Sequence, residues 1–200
     1  MKVAIVGGTG DFGVALARRL VEAGDEVVLG SRDAVRAQEK ADEVGAAAGA
    51  TNEDAVANVE LVVLATNASA TLDTAAALAG AIGATPVLSV ASDLRSTAQL
   101  SLAERTQELL AGPVVAGLQS LAAAKIAQGR PDEDAFVCGD DTDAKALALE
   151  LAGKVVAGRA LDAGPLTRAR VLEGLTGLIV SLNKRYKGHA GIHVTGLPEA

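Results

Sequence analysis

The chain opens on a short run without polar alternation, Val3-Ala4-Ile5-Val6 after Lys2. Runs of the same kind return at 26–30 (EVVLG), 61–66 (LVVLAT), 85–90 (TPVLSV) and 113–118 (PVVAGL). Apolar stretches of this length that lack a period of two belong to strands covered on both faces. Between them the period changes to that of a helix. Phe12, Leu16, Leu20 and Ala23 recur along one face, with Arg18, Arg19 and Glu22 elsewhere on the wheel, and Gly24 stops the run. Asp33 is placed to cap a polar helix, DAVRAQEKADEV. Helices are also predicted over 70–83, 101–112, 142–153 and 165–184, and further strands over 134–139 and 155–162.

Strands alternating with helices of about 10–15 residues predict an α/β fold with a doubly wound parallel sheet. The polar stretch AQGRPDED (127–134), with Gly129 and Pro131, reads equally well as a domain boundary or as a surface loop. Phe12, Phe136 and Tyr186 are the only aromatic residues, so the core must be built from Ala, Val and Leu, whose small side chains let helices sit close to a sheet. The formal net charge of -7 disfavours a nucleic-acid partner, because phosphate backbones reward a basic face. A single cysteine, Cys138, allows no internal disulfide and suits a reducing cytoplasm. The opening apolar run is too short for a signal peptide or a membrane span.

The first strand runs into GGTGDFG, residues 7–13. Gly8, Gly10 and Gly13 form G-x-G-x-x-G between a strand and a helix, the context in which this pattern binds a dinucleotide. Gly8 permits the tight turn, Gly10 lets a pyrophosphate approach the backbone, and Gly13 lets helix and strand pack closely. The helix start offers free N–H groups and a partial positive charge to phosphate. At the end of the second strand, where an NAD site carries an acid for the ribose 2′-hydroxyl, the chain has Ser31 and Arg32, followed by Arg36. A hydroxyl and guanidinium groups bind a 2′-phosphate that a carboxylate would repel, so NADP is expected rather than NAD. Asp33 is the competing feature, since a rotated strand end could present it to a ribose.

VAIVGGTGDFG and LGSRD near the start, VCGDD (137–141) and LDAGPLTRARVLEGLT (161–176) later, and LNKRYKGHAGIHVTGL (182–197) at the end together resemble the coenzyme F420-dependent NADP oxidoreductases. The resemblance spans nearly the whole chain. It implies reversible hydride transfer between NADPH and the deazaflavin F420. It also implies a Rossmann-type NADP domain (1–130), a smaller C-terminal α/β portion (131–200) completing the substrate cleft, and a homodimer. By matching position, Thr9, Gly10, Asp11 and Phe12 would contact the phosphates and nicotinamide. Ser31, Arg32 and Arg36 would hold the 2′-phosphate, and Ala68, Leu72 and Ala123 would line the nicotinamide side. The middle third departs from the family. Gln119 stands where members carry histidine, Ala122 stands where archaeal-type members have proline, and TNAS (66–69) is small and polar.

Hydride transfer between two ring carbons needs no side-chain nucleophile and no metal, so no catalytic side chain is assigned. Ala68, Leu121, Ala122 and Ala123 suit a floor on which planar rings stack. His189 is a candidate to touch the substrate ring, because the family's backbone at the position of Ala190 approaches the deazaflavin. His189 and His193 have the spacing of helical metal ligands, but Gly188 and Gly191 argue against a helix there. Asp140 and Asp141 are expected to cap a helix rather than bind a cation, and Cys138 to be inert and buried. Lys184, Arg185 and Lys187 either steer an anionic tail of F420 or offset a helix dipole. An NADPH-linked reductase of another acceptor (a flavin, a small carbonyl or an imine) and a non-catalytic NADP(H) sensor are the alternative readings.

Overall fold

The computed structural model describes residues 1–198. A single eight-stranded sheet runs through it in the order β3-β2-β1-β4-β5-β6-β7-β8. The strands are β1 (Lys2–Val6), β2 (Glu26–Ser31), β3 (Ala48–Thr51), β4 (Leu61–Leu64), β5 (Val87–Ser89), β6 (Val114–Gly117), β7 (Ala135–Gly139) and β8 (Ala160–Asp162). The helices are α1 (Asp11–Glu22), α2 (Ala34–Val44), α3 (Asn52–Ala55), α4 (Ala68–Ile82), α5 (Leu102–Gln107), α6 (Ala123–Gln128), α7 (Thr142–Val155) and α8 (Ala169–Tyr186), with a 3-10 turn at Leu166–Arg168 before α8.

The sheet is buried on both sides, as its unalternating strands require. Alternate residues of β1 enter two separate cores. Val3 and Ile5 pack with Leu16, Leu20 and Leu29 on one face, and Ala4 and Val6 pack with Ala75 and Leu78 on the other. Helix α1 follows the predicted stripe, with Leu16 and Leu20 fully buried, and Asp33 caps α2 as expected.

Three features differ from the expected pattern. Strands β1 to β6 are parallel, but β7 pairs antiparallel with β6, so the sheet is mixed. After α6 the chain does not cross the sheet again but re-enters it from the end at which β6 left. Strand β7 therefore starts at the edge where β6 ends. Strand β3 was not anticipated because Ala48-Gly49-Ala50-Thr51 carries no large apolar side chain, and it forms by pairing with β2. The run expected as a strand over 155–162 is divided: Val155 closes α7, and only Ala160–Asp162 is strand. The segment 127–134 links α6 to β7 within the one sheet.

Candidate active site

The carboxyl ends of β1, β2, β4, β5 and β6 share one edge of the sheet, and a two-armed cleft runs along it. One arm, about 630 Å³, lies over β1 and β2 and is lined by Thr9, Ser31, Arg32, Arg36 and Asn52. The other, about 440 Å³, lies over β4 to β6 and is lined by Phe12, Val90, Leu118, Gln119, Leu121 and Ala123. Gly10, Ala65, Thr66 and Asn67 line both, so the arms join above the glycine loop.

That loop is a cradle. The left-handed residue is Gly7, at φ 74, one position earlier than the expected turn glycine. Gly8 is required by close approach instead: a Cβ there would lie 2.7 Å from the Ile5 carbonyl oxygen. A Cβ on Gly13 would lie 2.7 Å from Gly8 Cα, so helix and loop touch backbone to backbone. At Gly10 the nearest heavy atom to a Cβ is 3.6 Å away, and the space above is open cleft. No side chain caps α1, and the first N–H of the helix to reach a backbone carbonyl is that of Val14, bonded to Gly10 at 2.9 Å. The N–H groups of Asp11, Phe12 and Gly13 are thereby left for an anion, at the positive end of the helix dipole.

In the β2 arm, Ser31 is buried while Arg32 and Arg36 are exposed. The nearby ion pairs are formed by Arg18, Lys40 and Glu43, and among the described residues the Arg32 and Arg36 guanidinium groups are left to the cleft. Asp33 lines the same arm, with one of its carboxylate oxygens engaged as the cap of α2. Its carboxylate accepts the N–H groups of Val35 at 3.0 Å and Arg36 at 3.1 Å, and its own N–H donates to Ser31 Oγ. The arm has the donor set of a phosphate monoester site.

In the other arm, Gln119 is held by its Nε2, which donates to the Ser89 carbonyl at 3.0 Å. Thr176 of α8 donates to the Gln119 carbonyl at 2.7 Å and lies 2.7 Å from Ser92 Oγ. Through Thr176, α8 supplies this arm with a wall residue. Leu118 sits at φ 70, a left-handed conformation that costs a non-glycine residue about 1 kcal/mol or more and turns the chain into the cleft wall. Behind Thr176, the buried Glu173 accepts Leu102 N–H at 2.8 Å, and burial pushes its carboxyl above the ordinary carboxylate range.

The structure gathers most of the expected residues and leaves some apart. Thr9, Gly10, Asp11, Phe12, Ser31, Arg32, Arg36, Ala68, Gln119, Leu121 and Ala123 line the cleft, while Gly8 and Gly13 support its loop. Leu72, Ala122, His189 and Ala190 are not among the lining residues. Ala122 instead caps α6. His189 and Ala190 belong to a tail after α8. Ala190 N–H donates to Asn183 Oδ1, and the tail is pinned to the start of β7 by Asp134, which donates to the Ile192 carbonyl and accepts Val194 N–H. Lys184, Arg185 and Lys187 end α8 on its exposed side. Asp141 caps α7, whereas Asp140 holds the N–H of Leu166. Cys138 is fully buried, and its thiol is pushed up to about 12 by burial. Asn52, Ser92 and Thr176 were missed, because the position of each depends on packing between elements distant in sequence.

A glycine cradle at the β1–α1 turn, at the carboxyl edge of a mainly parallel sheet, defines a Rossmann-type nucleotide-binding α/β protein. Comparison with known proteins narrows this class. The profile of the family described as NADP oxidoreductase, coenzyme F420-dependent, matches residues 2–93. The chain is 35% identical to the F420-dependent NADP reductase of Methanothermobacter thermautotrophicus, an alignment covering 100% of this chain and 97% of that protein. It is 34% identical to the F420-dependent NADP reductase of Methanocaldococcus jannaschii, over 98% of this chain and 99% of that one. A crystal structure from Arthrobacter sp. FB24, assigned as an F420 dependent NADP-reductase, superposes with a TM-score of 0.86 at 26% identity, covering 98% of this chain and 100% of that one. The chain belongs to the F420-dependent NADP reductase family.

Proposed function

We propose that this protein is an oxidoreductase that transfers a hydride reversibly between NADP(H) and F420. The observation that carries the reading is the joined cleft: an arm with two free guanidinium groups and a buried hydroxyl meets an arm with small, mostly apolar walls. Ser31, Arg32 and Arg36 hold the 2′-phosphate, and the free N–H groups of Asp11, Phe12 and Gly13 receive the pyrophosphate. When bound, the nicotinamide and the deazaflavin supply the hydride chemistry themselves. The protein's part is proximity, orientation and exclusion of water.

Ala68 and Ala123 flank the ring site without bulk that would hold two ring planes apart, Phe12 closes its loop side, and Thr9 faces the β2 arm. Leu121 and Gln119 form the far wall. Ala122 acts behind that wall. Its carbonyl accepts the N–H groups of Lys125 and Ile126 and so fixes the start of α6. Leu72, His189 and Ala190 are assigned to the substrate-facing shell by family resemblance alone. In this division residues 1–130 bind NADP and residues 131–200 complete the cleft, chiefly through Thr176.

A homodimer fits the surface of α8, where Val171 and Leu178, seven residues apart on one face, are exposed. A second copy of the chain is the partner proposed for this face. No helix among the described residues is long and apolar enough to cross a membrane. With one buried thiol and a diffusible pair of substrates, the proposed location is the cytoplasm. Mixing the protein with NADPH and F420 and following absorbance tests the activity. Turnover with F420 supports it, and reduction of free flavin alone, or NADPH binding without any acceptor reduced, would replace it.

A further inference from the structure

Asn52 lies at the start of α3, one residue past the pairing of Ser31 with Thr51, and lines the β2 arm of the cleft. Its side chain reaches back across β2. The Gly7 N–H donates to Asn52 Oδ1 at 3.4 Å. Beneath that contact lies Gly30, where a Cβ would meet Asn52 Oδ1 at 2.9 Å and Asn52 Cα at 3.2 Å. The glycine at that place in β2 makes room for the asparagine.

The contact fixes the orientation of the amide. A backbone N–H can only donate, so the atom facing Gly7 must be the amide oxygen. Asn52 Nδ2, with two hydrogens and no acceptor, is then turned away from Gly7 in an arm that also holds Ser31, Arg32 and Arg36. An amide that presents only donors beside two guanidinium groups selects for an anionic oxygen and has nothing to offer a hydroxyl hydrogen.

We propose that Asn52 is a cofactor-selectivity residue that donates through Nδ2 to the phosphate monoester on the adenosine ribose. Its bond to Gly7 ties that recognition to the position of the glycine loop. The proposal rests on the NADP reading above and adds a residue to it.

Asn52→Asp is the decisive variant. It keeps an oxygen for Gly7 N–H and replaces the donor by an anionic acceptor of the same shape. That change repels a 2′-phosphate, whereas a 2′-hydroxyl can donate to it. Calorimetric titration with NADPH and with NADH reads the effect without turnover. The expected result is NADPH binding weakened about tenfold or more with NADH binding unchanged or tighter, so that the preference collapses. A second variant, Asn52→Ala, removes the donor without adding charge and should weaken NADPH by about threefold to tenfold, again sparing NADH. Equal changes for both nucleotides, or no change for either, in variants with the wild-type melting temperature would overturn the proposal. A wild-type protein that does not prefer NADPH would instead overturn the NADP reading itself.

Discussion

The Asp33 carboxylate accepts the backbone N–H of Arg36 at 3.1 Å, and the side chain of the same Arg36 lines the cleft. The acid at the end of β2 caps α2 through Oδ1, and the cap fixes the helical turn that carries the Arg36 guanidinium to the cleft.

Arg32 is the nearer cation to the end of β2. Arg32→Ala is expected to weaken NADPH binding by about 1.5–3 kcal/mol, the range for a hydrogen bond to a charged group, and to leave NADH nearly unchanged. Titration of both nucleotides checks this, and equal losses would remove the role.

The glycine loop predicts a double dissociation. A methyl on Gly13 would collide with Gly8 Cα, so Gly13→Ala should destabilise the fold by about 1–3 kcal/mol in denaturant unfolding. A methyl on Gly10 meets nothing closer than 3.6 Å, so Gly10→Ala should change stability by less than about 1 kcal/mol. It should still lower NADPH affinity about tenfold or more, because the methyl occupies the path of the pyrophosphate.

Asp134 is fully buried, and its carboxyl is held well below the usual range, first by the Arg159 side chain and also by the N–H groups of Val194 and Arg159. A depressed pKa contributes stability that is complete above the unfolded value of 3.8 and is lost as pH falls below it. Asp134→Ala should destabilise the fold and remove the share of the acid dependence of unfolding that this group contributes. Hydrogen exchange should show the tail at 190–194 released from β7.

Glu173 has the opposite sign. Burial raises its carboxyl above the ordinary 4.5, so between that value and its folded one the native state holds the extra proton. Stability from this group therefore falls as pH rises through that window. In Glu173→Gln the corresponding slope should disappear from a series of unfolding curves taken across it, whatever the absolute stability of the variant.

If α8 is the dimer face, Leu178→Glu should yield a monomer by light scattering while retaining NADPH binding in the β2 arm. An unchanged particle mass would send the interface elsewhere.

The cleft was only partly legible along the chain. Ser31, Arg32 and Arg36 could be read because they follow a strand within a few residues of one another, and local spacing fixes their geometry. Thr176 could not, since its place against Gln119 depends on α8 crossing the end of β6 from 57 residues away. Asn52 was hidden for the same reason: β3 carries almost no hydrophobic signal, and only pairing with β2 brings Asn52 over Gly30.

By itself the sequence determined the buried parallel strands, the glycine cradle, the cationic end of β2 and the resemblance that carries the family. All of these are local patterns of period, spacing and charge. Tertiary structure alone decided that β7 turns back, that Thr176 reaches the cleft wall, and that the tail with His189 is pinned beside β7 instead of lining the cleft. Those outcomes depend on which distant backbone groups come within hydrogen-bonding reach, and only packing of the whole chain sets that.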